Sequence, residues 1–518
     1  MTSAVAQSRN ARLDHALVAA LLATLVLLVV KCAWVCDDAY ISFRVVENAL
    51  AGYGLRWNID ERVQAYTHPA WLGLMLAARA ISGEVYLTSI ALGAATTLAA
   101  AVLLVGRVAR DAYAAAFALC IWCGSKAFID FSTSGLENPL LHVALLGALL
   151  AVAEERPPLV IGLWTSVAAL TRLDSLALLA PLVLLGLGEL QPRRLATFAL
   201  GLAPLAAWEL FSLVYYGALT PNTAIAKLNT GLDGFELAAQ GLRYLADSLS
   251  RDPLTLAAIV AGAALSVASR ARLGYAIALG LALHVAYVVK IGGDFMSGRF
   301  LTAPLCVATF ALAHLPCPPR ALGLGAFAAL LLAVATPSSP LRAPLDYAQG
   351  KLPPAHIGPD GIADERAYWY SAAGLFAPTR AVEPPPYRHV SRGHGLGLKL
   401  RESTDVQPIE GIGYLGYWAG PKPHLIDPMG LSDGFLARLP IVVDGRVVRP
   451  DKNRFGEREW RVGHYYRDVP PAYLAALRGE AAQFDNAELE RLHTDVQLIT
   501  RGELFDSERW AAIARRLR

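Results

Sequence analysis

Charge is scarce in the first two thirds of this 518-residue chain and ordinary in the last third. Residues 1–337 hold 42 Asp, Glu, Lys and Arg, about 12%, against 47, about 26%, in residues 338–518. A soluble domain carries about 25%. The contrast excludes a single soluble enzyme, a fibre and a disordered chain, and leaves a membrane part followed by a soluble part. An excess of one sign is missing too: the formal net charge is +3, too small to attract nucleic acid, so no nucleic-acid partner is expected. Cysteine is absent after Cys317, and the soluble part therefore does not depend on disulfides. Cys32, Cys36, Cys120, Cys123, Cys306 and Cys317 all lie in the apolar part. None stands in a metal-ligand pattern with His, so they read as small apolar residues of helices.

Apolar runs of membrane length are present at roughly 14–35, 86–106, 112–130, 138–153, 158–171, 174–190, 194–216, 254–269, 273–290, 299–316 and 321–337. Arg9 and Arg12 precede the first run and no A-x-A cleavage site follows it, which reads as an uncleaved signal anchor with the start of the chain in the cytoplasm. A further run, 69–82, is ambiguous. If it lies on the surface, alternate connections carry Arg107/Arg110, Arg156, Arg193/Arg194, Arg270/Arg272 and Arg320, all on the cytoplasmic side as the positive-inside rule requires. The expectation is a polytopic α-helical membrane protein of about 11 spans, residues 1–337. A C-terminal mixed α/β soluble domain, residues 338–518, then lies at the outer face.

This topology collects the polar segments 36–71, 132–138, 171–174, 215–228 and 292–300 on the outer side. Charges near a membrane are costly and tend to be functional. Asp37 and Asp38 stand where the first span leaves the bilayer, at the start of a helix expected over about 39–51 and closed by Gly52 and Gly54. One aspartate is accounted for by capping and the helix dipole. Two adjacent ones are not, because neighbours on a helix face different ways. A carboxylate there suits glycosyl transfer from a lipid carrier, either activating the acceptor hydroxyl or holding a divalent cation on the phosphate. His68 is either a substrate ligand or a helix-start hydrogen bond before Pro69. Glu137 caps a helix or lines the site. Arg172 pairs with Asp174 or holds a phosphate; Asp294 and Arg299 present the same choice, and Lys227 is a further phosphate contact. Among the carboxylates only Glu209 lies well inside a run, thin support for an ion-coupled relay.

In the last third, Pro340, Pro344, Pro353 and Pro354 mark a linker, and Trp369 and Tyr370 fall in a helical stretch. Residues 411–418 look like strand and turn; without a βαβ context their glycines make no nucleotide site. Asp427-Pro428 and Ser432-Asp433 read as turns and a helix cap, and the tail from about 470 as two amphipathic helices. Trp460, His464 and Tyr465 are sugar contacts or ordinary packing.

Several strings carry a family resemblance. Asp37-Asp38-Ala39-Tyr40-Ile41-Ser42-Phe43-Arg44, Gly54-Leu55-Arg56-Trp57-Asn58 and Tyr66-Thr67-His68-Pro69-Ala70-Trp71 lie in the first outer loop. Ile426-Asp427-Pro428-Met429-Gly430-Leu431-Ser432-Asp433, Ala437-Arg438-Leu439-Pro440 and Gly463-His464-Tyr465 follow in the last third. Together they resemble the terminal arabinofuranosyltransferases of the GT-C glycosyltransferase superfamily. His68 departs from the Asn of many relatives, and Val63-Gln64-Ala65 lacks their Gly before the Tyr.

The resemblance implies a polyprenyl-phosphoryl-D-arabinofuranose donor, a glycan or glycoprotein acceptor, and transfer at the outer face of a bacterial inner membrane. It implies Asp37 and Asp38 as catalytic carboxylates, with Asp37 the candidate ligand of a divalent cation. Arg44, His68, Lys227, Arg172 and Arg299 are then candidate donor-phosphate ligands. Tyr66, Glu137, Asn222, Asp294 and His464 are candidate substrate-lining residues. The rivals are a GT-C transferase of another sugar such as mannose, a glycan flippase and a non-catalytic scaffold. A flippase predicts charges through several spans and no large soluble part; a scaffold tolerates loss of both aspartates.

Overall fold

The computed structural model describes residues 2–228, 230–345, 347, 356–377, 396–409, 411–443, 446–447 and 461–517. Trp460 and the linker prolines Pro353 and Pro354 lie outside these residues.

Each expected apolar run carries a helix. Asp14–Lys31, Tyr86–Val108 and Arg272–Lys290 are each long and apolar enough to cross a membrane. Pro192–Gly201 and Ala203–Tyr215 form a pair bent by 59°, and Gly234–Arg251 and Pro253–Ala268 one bent by 110°. Shorter apolar helices include Ala112–Gly124, Asn138–Ala153, Pro158–Thr171, Leu173–Leu187, Arg299–His314 and Pro319–Ala335, and the ambiguous run forms Pro69–Ser82. Their outward faces are apolar, with Leu27 70%, Val260 66% and Leu324 71% exposed. A soluble bundle would bury such side chains; a lipid-facing one need not. Small residues let the helices close up: at Gly162 a side chain would run into Phe198 O and the Gly201 Cα, 3.0 Å away.

The run expected over 112–130 is interrupted. Its helix ends at Gly124, Ser125 caps a short helix Lys126–Asp130, and the two charges meet partners from the last third. Lys126 pairs with Asp130 and lies 3.0 Å from Asp364, while Arg366 lies 2.7 Å from Asp130. Apolarity alone does not register that break, because the compensating charges are more than two hundred residues away.

The last third is stitched to the loops between the apolar helices by backbone. Val35 N–H donates to Ala373 O (3.2 Å) and Leu375 N–H to Ala33 O (2.8 Å). Ala363 N–H donates to Phe295 O (2.7 Å), and Arg62 N–H to Thr500 O (2.9 Å). A continuous apolar core joins Trp34, Trp57, Trp71 and Phe131 to Tyr370, Tyr414 and Leu425. Among the described residues its sheets are minimal: Val406–Pro408 pairs parallel with His424–Ile426, and Val442–Val443 antiparallel with Arg446–Val447. The strand expected over 411–418 is instead a turn followed by the helix Tyr414–Ala419. The tail has three helices where two were expected: Pro471–Leu477, Ala487–Arg501 and Ser507–Arg516.

Candidate active site

The first long loop begins with the helix Asp37–Leu50, both aspartates in its first turn and Cys36 as N-cap with no side-chain cap bond. The two part company at once. Asp37 Oδ1 accepts the Tyr414 N–H at 2.8 Å. It therefore caps a helix of the last third rather than its own, and a side chain at Gly413 would fall on it. Burial pushes the Asp37 carboxyl up to about 7, the Tyr414 and Gly413 amides opposing and Asp38 adding to the rise. Asp38 is half-buried, and no hydrogen bond or ion pair from a described residue reaches its carboxylate. Burial raises it; Lys227 and Arg299 pull it down, and Asp294 and Glu137 push it up. Those four residues come from three other polar segments, so the polar motifs converge on Asp38.

Lys227 closes the short helix Asn222–Leu228 and is half-buried. Its ammonium has no hydrogen-bonding or ionic partner among the described residues. A cation and a carboxylate within electrostatic reach of one another, each without such a partner among the described residues, mark a candidate substrate site.

Beneath Asp38 lies a closed ionic network. Glu137 is fully buried and bonds Arg172 (2.9 Å) and Arg299 (3.2 Å), with His68 Nδ1 at 3.4 Å. Arg172 grips Asp174 (2.7 Å), and Arg299 lies 3.6 Å from Asp294. Burial alone would raise Glu137, yet Arg299, His68 and Arg172 together hold it well below the carboxylate range. Burial lowers His68, against Glu137, and its Nε2 shares a 2.9 Å hydrogen bond with Ser42 Oγ. Glu137 thus neither caps its helix by a side-chain bond nor opens to solvent; it neutralises two arginines. Arg172 is committed to Asp174 and Glu137, so its expected phosphate contact is not available to it.

Other candidates are spoken for. Arg44, expected to hold donor phosphate, is 1% exposed. Its guanidinium donates to the carbonyls of Trp57, Gly416 and Pro423 and lies 4.1 Å over the Trp57 ring. It joins the first loop to the last third, and that expectation is corrected. Arg44→Lys is expected to cost about 1–2 kcal/mol, because an ammonium cannot serve three carbonyls in one plane. A thermal melt in detergent checks this, and an unchanged midpoint contradicts it. Asn222 likewise spends its amide on the carbonyls of Gly430, Leu431 and Asp433 (2.8–3.2 Å), which removes it from the substrate-lining set. Tyr66 is buried with its hydroxyl 2.8 Å from that of Tyr216. His464 packs edge-on to Phe295 at 4.5 Å, and burial drives it well below its ordinary value.

No group of three or more His, Cys, Asp or Glu among the described residues is arranged to hold a metal ion. Asp37, the candidate cation ligand, has backbone amides beside it rather than further ligands. Sequence reasoning missed Glu365, which faces the acidic pair from the last third; no motif around it signals that position. A groove of about 1110 Å³ is lined by Leu219, Thr220, Leu228, Arg438, Pro440 and Arg516 among others, and by neither Asp38 nor Lys227.

No protein-family model matches the chain. It is similar to the terminal β-(1→2)-arabinofuranosyltransferase of Mycobacterium tuberculosis: 28% identity over 542 residues, covering 85% of this chain and 84% of that protein. The protein of the same name from Corynebacterium glutamicum is 28% identical over 335 residues, 55% of this chain and 48% of that one. The crystal structure of ArnT from Cupriavidus metallidurans bound to undecaprenyl phosphate covers 81% of this chain and 87% of its own. The TM-score is 0.48 and the identity 13%.

Proposed function

We propose that this chain, a GT-C-type membrane glycosyltransferase similar to the terminal arabinofuranosyltransferases, moves D-arabinofuranose from a polyprenyl-phosphate donor to a glycan or glycoprotein hydroxyl. One observation carries the reading: Asp38 and Lys227, both half-buried and without a hydrogen-bonding or ionic partner among the described residues, lie within electrostatic reach of one another. The charge sorting of the loops supports about eleven spans, with the site and residues 338–518 at the outer face of a bacterial inner membrane.

In this reading Asp38 is the general base. It takes the proton of the acceptor hydroxyl, whose oxygen bonds to the anomeric carbon as that carbon's bond to the phosphate oxygen breaks. Polyprenyl phosphate leaves with the bonding electron pair, and Lys227 meets the charge it gains. Arg299 contributes at longer range, tied to Glu137. Asp37 is a positioning residue: by accepting the Tyr414 N–H it sets the last third against the base. The Glu137 network holds the floor of the site rigid.

The test is transfer from polyprenyl-phospho-arabinofuranose to a synthetic acceptor by the purified full chain; absence of product from active-folded protein removes the assignment. Lys227→Ala is expected to raise the donor KM and lower kcat together, for about a 100-fold loss in kcat/KM. A loss confined to the acceptor KM would put Lys227 elsewhere than on the phosphate.

A further inference from the structure

Glu365 opens the helix Glu365–Ala373, held in place from both sides. Asp364 before it accepts the Ala367 N–H (3.2 Å), and Ala363 is hydrogen-bonded to the loop that carries Asp294 and Arg299. The Glu365 side chain is 7% exposed; Oε2 accepts the Trp369 indole N–H at 2.8 Å and Oε1 lies 4.0 Å from the Arg461 guanidinium. Trp369 is half-buried and tilts over the ring of Tyr414 at 5.4 Å, the same residue whose amide Asp37 accepts. Arg461 lies 5.1 Å over Phe295. A carboxyl, an indole face and a guanidinium, gathered beside the acidic pair, do nothing in the transfer steps above. They are the groups that recognise a sugar: an aromatic plane for its C–H face, and donors and acceptors for its hydroxyls.

We propose that Glu365, with Trp369 and Arg461, forms an acceptor-sugar subsite supplied by the last third of the chain, in which the Glu365 carboxyl hydrogen-bonds the glycan whose attacking hydroxyl faces Asp38. The inference rests on the glycosyltransferase reading and names its acceptor side. The groups facing Glu365 are Arg461, Asp38, Asp37 and the Cys36 thiol. Burial pushes its carboxyl up; Arg461 opposes, and Asp38 and Asp37 push it further, to about 8. Below that pH it carries a proton and donates. Above it, Glu365 becomes a third negative charge beside the pair and loses its donor.

Full-length protein in detergent, with donor and acceptor varied separately between about pH 6 and 9, reads this directly. Glu365→Ala is expected to raise the acceptor KM about tenfold and leave the donor KM unchanged. Glu365→Gln keeps a donor at every pH, so its acceptor KM stays within about threefold of wild type at neutral pH. The fall of kcat/KM above about pH 8 expected for wild type disappears in this variant. A donor KM that moves in place of the acceptor KM overturns the subsite, as does an alkaline limb that survives in Glu365→Gln. Acceptor titration followed by tryptophan fluorescence separates the two readings. If wild type transfers nothing yet binds the acceptor about tenfold more tightly than Glu365→Ala, the subsite stands and the reaction assignment falls. Equal binding removes the subsite.

Discussion

Asp38→Asn is expected to lower the transfer rate by about a thousandfold or more, with the donor KM nearly unchanged. An amide keeps the shape and burial of the side chain but cannot take a proton, and a positioned base contributes about 10²–10⁴ in rate. The neighbouring substitution makes this informative. Asp37 spends its oxygen on the Tyr414 N–H, and the carbonyl oxygen of an asparagine accepts the same bond. Asp37→Asn should therefore retain activity within about tenfold, with a lower melting temperature as its main signature. Initial rates for the two variants, measured at saturating donor, distinguish them. Full activity in Asp38→Asn, or a dead Asp37→Asn beside it, reverses the assignment of base and positioning residue. Loss in neither variant favours the scaffold.

Glu137→Ala is expected to be the most destabilising single change in the site, about 3–5 kcal/mol. Glu137 has no exposed surface, and its removal strips Arg172 and Arg299 of a shared carboxylate, leaving buried guanidinium charge against Asp174 and Asp294 alone. The contrast is Glu154, whose half-exposed pairs with Arg107 and Arg156 lie near solvent. Glu154→Ala should fall within about 1 kcal/mol of wild type. Melting in detergent micelles ranks the two, and equal midpoints contradict the network's role. The pH dependence has a definite sign. Because the folded-state value of Glu137 is depressed, its contribution is fully present above the ordinary glutamate value of about 4.3. It is lost as pH falls from there through the folded value. Glu137→Gln should accordingly narrow the gap between neutral and acid stability.

The helical character of residues 1–337 was legible in composition, because a run of about 20 apolar residues has few other uses. Its interruptions were less so. The break after Gly124 depends on Lys126 and Asp130 finding Asp364 and Arg366, partners that no window along the chain contains. The same holds for the helix Tyr414–Ala419. Its glycines suggest a turn and strand, but its first amide is bonded by a carboxylate 377 positions earlier. The tail's amphipathic pattern was read correctly in kind and undercounted, since a seven-residue helix such as Pro471–Leu477 leaves little periodicity to detect.

At the site, the sequence by itself determined which residue types stand in the polar segments between the apolar runs. Charge sorting and the Asp37-Asp38 string are local facts that survive without coordinates. Only the tertiary structure decided what each does. It turned Asp37 toward Tyr414 and left Asp38 without a hydrogen-bonding partner among the described residues. It set Lys227 within electrostatic reach of Asp38 and spent Arg44, Arg172 and Asn222 on internal bonds. It also brought Glu365 into view. The reason is that a charged side chain's role depends on whether a partner satisfies it, and for these residues nearly every partner lies in a different segment. Periodicity and composition report the neighbours along the chain; the chemistry of this site is made by neighbours across it.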